Sequence, residues 1–180
     1  MNRNLKIAFY SLIVLFAIYL FNYQKQINLE SSSTLIFEGD PNKIYKFLIQ
    51  KGGDAIEIIK NDSLWEITGH DTLNIKSQSI DNFFNNVLVL KKEILLSENP
   101  DNYSKYSIDD STGTHLAIIN DQGITIEYFV FGRSQSDYQR CYVRIGDNPG
   151  VYLADNNITY MLSTNITYWG ENININKNQN

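Results

Sequence analysis

From Ile7 to Phe21 the chain reads IAFYSLIVLFAIYLF, an apolar run broken only by Ser11. A helix that is hydrophobic all round has no face to offer water, so such a segment belongs inside a protein core or inside lipid. At about fifteen residues it falls just short of the roughly 17 to 25 of a spanning helix. Leu5 and Tyr23 lengthen it, Lys6 can snorkel, and tyrosines at 10, 19 and 23 suit the headgroup belt. A cleaved signal peptide shares the positive start and the apolar centre, but it needs small residues after the run. Phe21-Asn22-Tyr23-Gln24-Lys25-Gln26 supplies none, and no cysteine stands nearby to take a lipid. Residues 1–23 are therefore expected to be an uncleaved anchor. Arg3 and Lys6 precede it, which keeps the N-terminus in the cytoplasm and sends the rest of the chain across the membrane.

The segment 24–33 is polar, ends in Ser31-Ser32-Ser33 and reads as a tether. Beyond it, 34–169 has the length of one ordinary domain, and the Asn-rich tail 170–180 is expected to fray. With 43% hydrophobic and 13% aromatic residues the chain is globular in type, not disordered. Its formal net charge of -5 and the lack of a basic stripe exclude nucleic acid as a natural partner. The single cysteine, Cys141, rules out an intramolecular disulfide and a thiolate zinc knuckle.

Turn and cap residues divide the domain. Asp40-Pro41 predicts a helix start and Gly52-Gly53 its stop, with Ile44, Phe47 and Leu48 on one face. Ala55–Ile59 and Leu64–Thr68 predict a hairpin turning at Lys60-Asn61-Asp62-Ser63, with Trp65 and Ile67 together on a buried face. Ile80, Phe83, Phe84, Val87 and Leu88 recur at i, i+3, i+4, i+7 and i+8, predicting an amphipathic helix from Ser79 whose stripe is core. A strand at Ile94-Leu95-Leu96 and an exposed loop at residues 97–102 follow. The remainder reads as an antiparallel meander: His115–Ile119, Ile124–Phe131, Cys141–Ile145 and Val151–Leu153. A last helix is expected at Ile158–Leu162, capped by Asp155. The fold class is α+β, a mostly antiparallel sheet with two to three helices packed on it.

These landmarks resemble the bacterial family known as domain of unknown function 4340. The resemblance rests on the order of Leu64-Trp65-Glu66-Ile67, the amphipathic helix, Tyr103-Ser104-Lys105-Tyr106-Ser107-Ile108-Asp109, Phe131-Gly132, Cys141-Tyr142-Val143 and Val151-Tyr152-Leu153. It implies a single-pass anchor in the bacterial inner membrane, an extracytoplasmic α+β domain, and the company of ABC-type export or gliding-type transport components. It brings no catalytic residues.

Chemistry-bearing residues are sparse. Cys141 with His115 and Arg140 or Arg144 is the one combination able to attack a carbonyl, but strand alternation groups Cys141 with Val143 and Ile145 on a buried face, where a thiol is inert. His70 and His115 lack metal-pair spacing. Asp101 and Asp109-Asp110 lack the spacing and glycine of a calcium loop. No GxGxxG or GxxxxGK[ST] is present, so no nucleotide is expected. No catalytic residue, metal or cofactor is assigned. The expected function is a non-enzymatic accessory or scaffold domain bound to the membrane and to a protein partner. Tyr103, Tyr106, Arg133 and Tyr138 are the candidate contacts, since exposed aromatics bind at small entropic cost. The alternatives are an envelope domain that binds glycan or peptide, and a cysteine-dependent envelope enzyme.

Overall fold

The computed structural model of the chain describes residues 12, 14–20 and 30–172. Leu12 and residues 14–20 are helical, and their apolar side chains are exposed. Among the described residues no helix is long and apolar enough to cross a membrane. Ile7 and Phe21, which bound the apolar run, and the flanking Arg3 and Lys6 lie outside the described residues.

From Ser33 onward the chain forms one compact unit. Its frame is a nine-stranded sheet of β1 (Glu30–Leu35), β2 (Lys46–Lys51), β3 (Asp54–Asn61), β4 (Leu64–Ile67), β6 (Lys91–Ser97), β7 (Thr114–Ile119), β8 (Thr125–Arg133), β9 (Cys141–Ile145) and β10 (Val151–Ala154). The spatial order is β1-β6-β10-β9-β8-β7-β2-β3-β4. Pairing is antiparallel from β6 through to β4. A two-stranded ribbon of β5 (Leu73–Ile75) and β11 (Gly170–Asn172) lies apart from it in hydrogen bonding. The mostly antiparallel sheet with a few short helices is the expected α+β class.

The helix expected from Pro41 to Gly52 is instead one 3₁₀ turn, Pro41–Lys43, followed by β2. Asp40 does cap that turn, accepting from the Asn42 amide at 2.9 Å, and Pro41 does sit first. The chain then extends because Phe47 and Ile49 alternate with Lys46 and Gln50, and β-branched and aromatic side chains suit a pleated surface. Once β2 is flanked by β3 and β7, both faces and both edges are satisfied, which an isolated helix could not match. Gly52-Gly53 closes the β2–β3 hairpin, with Gly52 at φ 58 as a tight two-residue turn requires.

The helix expected from Ser79 forms as α1 (Ser77–Asn82) and widens into a π turn over Phe83–Val87. The widening keeps Phe83 and Val87 in the core and leaves Phe84 half-buried against Trp65, 5.7 Å between centroids. Ile67 is buried and Trp65 is half-buried on the same face of β4.

No helix forms at Ile158–Leu162. Asp155, expected as its cap, spends its carboxylate on the Lys91 amide at 3.0 Å, tying down the start of β6. Ile158, Met161 and Leu162 are still buried, in an irregular turn. The short helix falls later, α2 (Ile166–Trp169), capped by Asn165 to the Thr167 amide at 2.9 Å. Of the tail expected to fray from residue 170, Gly170–Asn172 pair with Leu73–Ile75 as β11, and residues 173–180 lie outside the described residues. Trp169 holds this exit in place: its side chain is fully buried and its indole N–H donates to the Ser163 carbonyl at 2.7 Å.

The sheet is covered on both faces. The main core takes β2, β3, β7, β8 and β9 side chains together with α1 and Trp169. At its centre the Phe47 ring stacks on Phe83 at 4.0 Å and 9° and lies 5.5 Å from both Trp65 and Trp169. On the opposite face a small cluster of Ile108, Val130 and Val151 is roofed by Tyr103, Tyr106, Tyr128 and Tyr142. Replacing Phe47 by Ala removes a fully buried ring touching three aromatics and should cost about 3–5 kcal/mol. Urea unfolding followed by tryptophan fluorescence measures this, since both indoles flank the deleted ring.

Candidate functional site

One row across three strands forms the floor of a polar cleft. Lys51 at the end of β2 pairs with Thr114 on β7, and Thr114 pairs with Phe131 on β8. Arg133, two residues beyond Phe131, stands on the same side of β8. Two loops close the flanks, bringing Ser107 and Thr112 from one side and Asn157, Thr159 and Tyr160 from the other. The cleft has a volume of about 530 Å³. A second depression of about 540 Å³, bounded by Ser107, Arg133, Ser134, Gln135 and Tyr138, adjoins it and shares Ser107 and Arg133.

Backbone contacts hold the first loop. Gly132 admits it: a Cβ there would lie 2.0 Å from the Tyr106 carbonyl oxygen and 2.8 Å from that of Ser107. Ser107 takes the left-handed conformation, φ 52, as the chain turns past β8. Asp109 then organises the turn. Its carboxylate accepts from the Ser111 amide at 3.0 Å and hydroxyl at 2.5 Å, and from the Thr112 amide at 3.1 Å and hydroxyl at 2.5 Å. Those bonds, the Ser111 hydroxyl first, hold its pKa well below the usual carboxylate range. The opposite flank is built alike: Asn157 accepts from the Thr159 amide at 3.1 Å and hydroxyl at 2.7 Å, and donates to the Tyr138 carbonyl at 3.0 Å.

The four expected contact residues separate into two pairs. Tyr103 and Tyr106 pack on the second cluster. Tyr106 meets Tyr142 edge-on at 5.0 Å, and the Arg144 guanidinium covers the Tyr103 ring at 4.8 Å. Arg133 and Tyr138 come together at the adjoining depression, the guanidinium 5.5 Å from a ring that is 69% exposed. Lys51, Thr112, Asn157, Thr159 and Tyr160 had no signal in the sequence as site residues. The one trace is the Asn157-Ile158-Thr159 spacing, which is an Asx-turn pattern as well as a sequon.

Cys141, His115 and the arginines are not assembled into a catalytic group. Cys141 is in the main core, whereas His115 and Arg144 lie in register with Val130 of the opposite cluster. The thiol contacts the Asn156 carbonyl at 3.2 Å, and burial pushes its pKa up to about 11. His115 Nδ1 is hydrogen-bonded to the Tyr128 hydroxyl, while His115 Nε2 and Arg144 Nε are buried without a hydrogen-bond partner among the described residues. Arg140 is paired with Asp137 at 2.6 Å and Glu93 at 3.6 Å. Among the described residues no group of three or more His, Cys, Asp or Glu is placed to hold a metal ion.

A nine-stranded, largely antiparallel sheet covered on both faces, with a polar cleft at one end, thus defines a small α+β domain. The model of the family described as domain of unknown function (DUF4340) matches residues 65–172, well over half of the chain, and the protein belongs to that family. No curated protein and no solved structure matches the chain.

Two outcomes are expected. Because the folded-state pKa of Asp109 is depressed, its stabilisation is present above the ordinary carboxylate pKa of about 4 and is lost as pH falls toward the folded value. Asp109→Asn should therefore be less stable than wild type at neutral pH, with the gap narrowing in acid, as read by urea unfolding at the two pH values. Cys141 should resist iodoacetamide in the native protein at mildly alkaline pH and label promptly in urea, which mass spectrometry resolves.

Proposed function

We propose that the protein is a non-enzymatic accessory domain held at the bacterial inner membrane by its N-terminal apolar segment, with the domain outside, in company with an ABC-type export or gliding-type transport complex. The exposed helical surface of the segment carries this reading. Leu12 is 66% and Phe16 60% exposed, and Val14, Leu15, Ile18 and Leu20 are exposed with them. Left in water, apolar area costs about 25 cal/mol per Å², a cost that lipid removes. Arg3 and Lys6 before the run set the orientation.

The buried, inert thiol and its separation from His115 weigh against the cysteine enzyme.

In a bacterial host the full chain should stay with the membrane pellet through alkaline carbonate extraction, and its domain should be digested by protease in spheroplasts. Release by carbonate would refute the anchor, and protection from protease would refute the orientation. Crosslinking in intact membranes should recover transport components; recovery of none would refute the accessory role.

A further inference from the structure

Lys51 and Arg133 stand in one cleft of an otherwise acidic chain, and neither makes an ion pair among the described residues. Elsewhere in the domain, Lys46 is paired with Glu57 at 3.1 Å and Arg140 with Asp137, and Arg144 stands 4.0 Å from Asp110. Among the described residues Arg133 is engaged through the face of Tyr138 alone, which leaves its N–H edge for an incoming acceptor.

The hydroxyls between them have a defined polarity. Thr112 Oγ1 gives its proton to the Asp109 carboxylate, and Thr159 Oγ1 gives its proton to Asn157 Oδ1. Each hydroxyl has one proton and two lone pairs, so both oxygens keep acceptor capacity, and both residues line the cleft. A bare anion has no proton to offer them. Tyr160 on the rim is 65% exposed, an aromatic face against which a small ligand can lie. The volume of about 530 Å³ is within the range of ligand-binding pockets.

We propose that this cleft binds a polyhydroxylated anion, a sugar carrying one carboxylate or phosphate group, with the anionic group between Lys51 and Arg133 and its hydroxyls donating to Thr112 and Thr159. The inference is independent of the membrane reading, because every residue it uses lies within 51–160. Arg133 supplies a planar donor pair matched to carboxylate or phosphate oxygens. Lys51 adds a mobile point charge at the hairpin end. The adjoining depression at Ser134, Gln135 and Tyr138 gives a longer saccharide room to continue past Arg133.

The test uses the full chain in detergent micelles, titrated with glucuronate, glucose 6-phosphate, inorganic phosphate and glucose by calorimetry. Either or both sugar anions should bind, and the stronger identifies the anionic group. Each that binds should do so at least about tenfold more tightly than inorganic phosphate or glucose, as loss of a charge-assisted or a hydroxyl contact implies. Arg133→Gln and Lys51→Gln alter exposed side chains and should keep the native near-ultraviolet dichroism while weakening binding about tenfold each. Thr159→Val should weaken binding of the sugar anion and leave that of inorganic phosphate unchanged. The proposal is overturned if neither sugar anion saturates below about 10 mM, if inorganic phosphate binds as tightly as they do, or if both charge-removing variants bind as wild type.

Discussion

The stacking of Phe47 on Phe83 is the contact on which the rest of the domain depends. Phe47 belongs to a central strand and Phe83 to the helix that covers it, and Trp65 and Trp169 close on the same ring from the β4 edge and from the C-terminal exit. Four segments far apart in sequence are thereby fixed to one point. Such aromatic pairs contribute about 0.5–1.5 kcal/mol each beyond the area they bury. The π turn at Phe83–Val87 follows from the same demand, because the extra residue in that turn lets Phe83 and Val87 face the sheet while Phe84 reaches Trp65.

Covering one face of the sheet with this cluster leaves the other face to a different device. There the roof is a segment of two single 3₁₀ turns, Pro100–Asn102 and Ser104–Tyr106, running into a loop that must satisfy its own polar groups. Asp109 does this for residues 111 and 112, while Gly132 and Gly113 remove the Cβ atoms that would hold the loop away from β8. The segment's tyrosines Tyr103 and Tyr106 pack on Ile108, Val130 and Val151, and its Ser107 and Thr112 line the cleft at the end of the sheet. That loop forms one flank of the cleft, whose floor lies on the main-core side with Phe131.

The domain and its N-terminal segment present opposite surfaces. Residues 12 and 14–20 expose mainly apolar side chains, whereas two cations and several hydroxyl residues line the cleft in an acidic chain. The proposed anchoring in lipid would cover the first surface, and the proposed anionic ligand would fill the second.

Several features were legible in the sequence because they depend on local periodicity. The α+β class, the hairpin turning at Asp62, the stripe from Ile80 to Leu88 and the four-strand meander all follow from spacing that neighbouring residues enforce. So does the burial of Cys141, read from its alternation with Val143. Other features were decided only by tertiary structure. Asp40-Pro41 starts a helix equally well on its own, but pairing with both β3 and β7 draws residues 46–51 into a strand. Asp155 can cap a helix, yet the Lys91 amide takes its carboxylate. The cleft was invisible for the same reason: Lys51, Thr112, Arg133 and Thr159 come from separate segments, and only sheet register and two self-bonded loops bring them together. Sequence by itself determined which residues are apolar and at what period; long-range pairing, whose free energy no local window contains, determined where the polar ones meet.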